Sequence, residues 1–243
     1  MFRFFRQLRH KLLAGSHFRR YLLYAVGEIV LVVIGILIAL QVNSWQEAKE
    51  RREREIEALS QLKEALDPEI SDLQMNVDAI EGALRSIKIV RNHLESHLPF
   101  TDSLAYHFGN SSRAMGYIIN SGVYEQIKSS GIDLISSDSL RNRILTHYDV
   151  NTSYLVDIEN ILVHNHNNTI VRPIMIRKFD YSWFTNPAFP NDYSALENDS
   201  EFLSVLKTTA EINRFQLSRT RAVLKSAKEL QEAIEEELIQ LRE

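Results

Sequence analysis

No cysteine stands anywhere in the 243 residues. Disulfides, thiol catalysis and cysteine-based metal sites are therefore excluded together, and any extracytoplasmic part must hold together by its core alone. Glycine and proline are also scarce, at eight and five residues. Long stretches lacking both leave little room for turns and favour long helices. Several signatures of catalysis are missing as well. There is no Gly-x-Ser-x-Gly elbow, no Gly-x-Gly-x-x-Gly and no phosphate loop. No enzyme, catalytic residue, resident metal or cofactor is expected from the sequence.

One long apolar run is present. Residues 21–42, YLLYAVGEIVLVVIGILIALQV, contain a single charged group, Glu28. As a helix the run spans about 33 Å, enough to cross a bilayer. A cleaved signal peptide has a shorter apolar region that ends at a small-x-small site. This run instead leads into Gln41-Val42-Asn43 and Trp45, so an uncleaved anchor is expected. Residues 1–20 hold Arg3, Arg6, Arg9, Lys11, Arg19 and Arg20 and no acid, which leaves 22 basic against 32 acidic residues in the remainder. By the positive-inside rule the N-terminus is cytoplasmic and the large domain is extracytoplasmic. The acidic domain speaks against nucleic acid as a partner. The expected partners are the lipid bilayer and a second copy of the chain or another membrane protein.

Three segments follow from this reading. Residues 1–20 form a cytoplasmic basic stretch in which Phe2, Phe5, Leu8 and Leu12 share one helical face, as in a helix lying on an anionic surface. Residues 21–42 are the transmembrane helix, with Tyr21, Tyr24 and Trp45 near its ends. Residues 43–243 form the extracytoplasmic domain.

Within that domain Ile56, Leu59, Leu66, Ile70, Leu73, Val77, Ile80, Leu84, Ile87, Leu94 and Leu98 keep a 3-4 spacing. The pattern predicts a long helix packed in a coiled coil or hairpin. Asp67-Pro68 predicts a kink or a fresh helix start within it. Short helices are expected in SLAYHF and VYEQIK. A further helix, capped at Ser137-Asp138, is expected to about Asn165 through Leu140, Ile144, Tyr148, Leu155, Ile158 and Leu162. Residues 166–200, with three prolines and several aromatics, predict an irregular connection. From Glu201 to Glu243 a second heptad-patterned helix returns along the first. The fold class is all-α: one transmembrane helix continuing into an antiparallel helical bundle.

Glu28 is the residue that most invites a function. Tyr21, Gly35 and Ala39 fall within about 20° of it around the helix, and Tyr24 flanks the line. Gly35-x-x-x-Ala39 has the spacing of close helix contacts. This stripe should face protein, as a structural contact in an oligomer, although the carboxylate could also reach headgroup water or act as a proton relay. The layout resembles the single-span subunits of ion-driven stator complexes, whose pattern has Asp where this chain has Glu28. His93 and His97, and likewise His164 and His166, are read as solvated. The acids Glu235, Glu236 and Glu237 belong to a solvated face.

The stretch FFR…KLL at positions 4–13, then YLLYAVGEI at 21–29 and IALQVNSW at 38–45, resembles a family of single-span proteins of unknown function from Bacteroidota. The resemblance includes Glu28, Gly27 and Gly35; Val42 and Ser44 stand where that family often has Ile and Asn. It implies an inner-membrane anchor with a periplasmic helical domain and brings no activity. The functional expectation is a membrane-anchored helical scaffold or assembly subunit, with an ion-coupled or sensory accessory subunit as the alternative.

Overall fold

In the computed structural model, residues 17–118, 120–182 and 187–243 are described, and of residues 17–21, 23 and 24 the backbone alone. The expected basic segment therefore lies largely outside the described residues, Arg3, Arg6, Arg9 and Lys11 included. Arg19, Arg20, Tyr21 and Tyr24 are placed on the first helix by their backbone only. Two units are distinguished, Met1–Arg54 and Glu55–Glu243.

Helix α1 spans His17–Glu95, 79 residues with Pro68 inside it. The fresh start expected at Asp67-Pro68 does not form. Leu59 and Leu66 before the proline and Leu73 and Ile80 after it are buried in the same cluster. Burial of both flanks outweighs the cost of about 3 kcal/mol that an interior proline brings. In the first unit, no part of the helix's apolar window is buried, and its length and composition suffice to cross a membrane.

In the second unit two short helices follow, α2 (Asp102–Ser111) and α3 (Gly122–Gly131), where both were expected. Gly131 takes φ 104°, a backbone region that glycine enters without strain and that lets the chain leave α3. Then comes one unbroken helical run over 138–178, here α4. Ser137 caps it by accepting from the Leu140 N–H. Three π-helical stretches interrupt its α-geometry: Thr146–Thr152, Glu159–His164 and Asn167–Val171. Such stretches are rare and usually single.

A four-residue repeat accompanies the π-turns. Leu155, Glu159, Val163, Asn167, Val171 and Met175 are all buried. In a pure α-helix a four-residue repeat drifts by about 40° at each step and would leave the core. The wider π-turns cancel that drift. This rotation also corrects one expected core position, because Leu162 is exposed and Val163 is buried in its place. The irregular connection expected from 166 is corrected likewise: the chain stays helical to Lys178 and passes through Pro173.

A small antiparallel hairpin, β1 (Phe179–Tyr181) with β2 (Ala188–Pro190), pairs Asp180 with Phe189. The turn α5 (Tyr193–Leu196) leads to α6, Ser200–Arg242. The Asp199 carboxylate caps α6 by accepting from the Phe202 N–H. Antiparallel pairing of α6 with α1 is fixed by Asp67–Gln231 at 2.7 Å, Lys63–Glu235 at 3.1 Å and the Glu81–Arg221 ion pair. Helix α4 also runs antiparallel to α6, through His147–Ser226, Glu159–Gln216 and His166–Thr209. The unit is a three-helix bundle with α2, α3 and the hairpin packed against it.

Its core is split in two. One cluster joins Leu59, Leu66 and Leu73 to Tyr124, Tyr148, Leu224 and Ile234. The other joins Ile87, Val90 and Leu94 to Phe108, Phe179 and Phe202. Between them α4 and α6 bury Glu159, His166, Asn167, Asn213 and Gln216.

Candidate functional site

Glu69 follows Pro68 directly on α1 and is 2% exposed. A carboxylate stripped of water needs donors. Glu69 has three, from the Tyr117 hydroxyl at 2.6 Å, His147 Nε2 at 2.8 Å and the Tyr148 hydroxyl at 3.3 Å. Burial first, and then the Glu69 carboxylate, push both tyrosine hydroxyls well above their ordinary range, so they stay protonated and donate. His147 Nδ1 lies 3.1 Å from Ser226 Oγ, and Asn151 Nδ2 donates to that same oxygen at 3.2 Å. An ionised Glu69 can only accept, so in the neutral imidazole Nε2 carries the proton and Nδ1 accepts from the Ser226 hydroxyl. The Nε2–H of His147 then faces Glu69. The chain thus links Glu69, His147, Ser226 and Asn151 by continuous hydrogen bonds.

The first π-stretch makes the arrangement possible by turning the consecutive residues His147 and Tyr148 both inward. Its i,i+5 geometry is visible in the Ser153 hydroxyl, which donates to the Tyr148 carbonyl at 3.0 Å. At its outer end the chain reaches a groove of about 900 Å³ between α4 and α6. Ser226 and Asn151 line it beside Arg143, Lys225, Glu232 and Glu236.

The order Glu69–His147–Ser226 is that of an acyl-transfer triad, but the surroundings are not. Ser226 sits in the middle of α6, where neighbouring N–H groups are committed to the helical ladder and cannot form an oxyanion hole. The His147 side chain is 0% exposed and cannot hand a proton to a leaving group in the groove. The geometry suits a polar staple that fixes α1 against α4 and α6.

The second π-stretch builds a second polar contact. Glu159 accepts from the Tyr117 N–H at 2.8 Å and from Gln216 Nε2 at 3.0 Å. Burial raises the Glu159 carboxyl above its usual range, partly offset by those two donors. Gly116 packs here so closely that a β-carbon would lie 3.2 Å from His164 Nε2.

Histidines 164 and 166 are corrected by this geometry. They lie inside α4, not at a helix end, and His166 is buried, with Nε2 2.9 Å from Thr209 Oγ1. Thr209 donates to the Val205 carbonyl, so its oxygen accepts the His166 proton. His93 and His97 do not form a one-turn pair, because α1 ends at Glu95 and His97 turns to φ 49°. His97 contacts Glu197 at 3.6 Å instead.

Burial lowers His166 below its ordinary value, and burial and then His93 lower His107. The unfolded chain therefore takes up protons first as pH falls. These two groups give stability that is complete above about pH 6.5 and is lost on acidification below it. Urea midpoints measured from about pH 7.5 to about pH 5.5 should fall, and the slope should flatten in His166→Gln.

The remaining expected site residues lie on α1 in the first unit. Glu28, Gly35 and Ala39 are exposed, and a β-carbon at Gly27 or Gly35 would meet nothing within 4 Å. The sequence reading did not anticipate Glu69, His147, Glu159 or Gln216. The four-residue repeat from Leu155 to Met175 was the one signal that pointed inward at Glu159.

A family of unknown function, DUF6090, matches residues 28–171, more than half of the chain, and the chain belongs to that family. Comparison with curated proteins and with solved structures returned no match.

Proposed function

We propose that this DUF6090 member is a non-catalytic scaffold or assembly subunit, anchored in the inner membrane by residues 21–42 and self-associating through the Glu28/Gly35/Ala39 stripe. The observation that carries the reading is the open space at Gly35 on a helix whose apolar window is wholly unburied. Small residues one turn apart let another backbone approach, and a carboxylate on the same face gains a polar partner there. The mass of the nanodisc complex tests this. A defined oligomer is expected for the wild type, and Gly35→Leu should shift it to monomer by filling the contact. A monomeric wild type would sink the self-assembly reading.

A second reading, a sensory or ion-coupled accessory subunit, draws support from one feature. The buried Glu69 chain runs to a surface groove and sits beside Pro68, where α1 lacks a backbone hydrogen bond. Loss of function in Glu28→Gln with assembly intact would favour it.

A further inference from the structure

The seam between α1 and α6 is laced by complementary pairs over most of its length. Lys63 meets Glu235, Asp67 meets Gln231 and Glu81 meets Arg221. The same antiparallel register continued along the seam sets Lys88 opposite Arg214, cation against cation. Arg85 and Arg91 stand one turn to either side of Lys88, and all four line a groove of about 350 Å³ floored by Leu84, Ile87 and Ala210. Two of the acids nearby are already engaged, and one of them, Glu95, also lines the groove. Arg91 holds Glu95 at 2.7 Å, and Glu81 is shared by Arg85 and Arg221. Among the described residues neither Lys88 nor Arg214 meets a carboxylate within ion-pair distance, although Glu211 lies one turn before Arg214. This concentration of cations occurs in a unit, residues 55–243, that carries 18 basic and 28 acidic residues. Like charges facing across a seam repel unless an anion lies between them.

We propose that this groove binds a soluble phosphate monoester. Guanidinium groups offer paired donors matched to phosphate oxygens, and Lys88 adds a point charge. Leu84, Ile87 and Ala210 give the ester's organic part an apolar floor, and the volume falls in the range of small-ligand sites.

Phenyl phosphate, inorganic phosphate and phenol, each titrated calorimetrically into the full chain in nonionic detergent, test the assignment. Phenyl phosphate should bind, inorganic phosphate should bind several-fold more weakly, and phenol should not bind. The affinity should fall as salt is raised. The double variant Lys88→Gln/Arg214→Gln should weaken phenyl phosphate at least about tenfold. Both side chains are exposed, so an unchanged thermal midpoint will show that the variant is folded. No binding of phenyl phosphate, or equal binding by wild type and variant, would overturn the site. Repeating the titration in nanodiscs that contain anionic phospholipid separates the sources: retained affinity fits a soluble ligand, and competition by the lipid would overturn it in favour of a headgroup.

Discussion

Glu69→Leu should lower the unfolding free energy of the helical domain by about 3–5 kcal/mol, because three buried donors lose their acceptor together. Leucine leaves the hydroxyls of Tyr117 and Tyr148 and the Nε2–H of His147 facing apolar side chains without acceptors. Each orphaned donor costs roughly 1–3 kcal/mol. Glu69→Gln should cost less, because its amide oxygen still accepts from one or two of them. Urea unfolding of the two variants beside the wild type checks the ranking. Equal and small effects would mean that water reaches the site and that the staple holds nothing.

Phe108→Ala should cost a comparable 3–5 kcal/mol by another route. The ring is fully buried, 5.0 Å from Phe179 and 6.1 Å from Phe202, and those two lie 5.4 Å apart. Truncation removes one ring of a three-ring cluster that ties α2, the hairpin and α6 together. The cavity cannot collapse easily, because each remaining ring is held by its own helix or strand. Urea unfolding should show the loss at unchanged slope. A loss under about 1 kcal/mol would show that the second cluster is loosely packed.

These two residues also show how far the sequence could be read. Phe108 lies in a short helix that was expected in SLAYHF, though its burial was not. Leu59, Leu66 and Leu73 were placed correctly by the 3-4 spacing, since a repeat of local contacts is written in local sequence. Glu69 was not, because a charged residue on a helix reads as a solvated face. Its donors come from positions 117, 147 and 148, and no local pattern announces a partner so distant in the chain. The four-residue repeat that accompanies the π-turns was not used, so Leu162 was assigned to the core that Val163 occupies. Pro68 was read as a kink or a fresh helix start because local propensity opposes an interior proline, and of the two the fresh start does not form, since both flanks are buried. The long apolar helix was legible from composition alone. Neither the basic groove at Lys88 and Arg214 nor the polar layer between the two cores was anticipated, since both depend on the register between α1, α4 and α6.

The central claim, self-association of the membrane helix through one stripe, is best tested by cysteine cross-linking in native membranes. The chain has no cysteine of its own, so each introduced thiol reports a single position. Single cysteines placed successively from Gly35 to Ala39 and oxidised in the membrane should yield covalent dimers strongly at 35 and 39 and weakly at 36, 37 and 38. Cross-linking that is absent or uniform across the five positions would contradict the account.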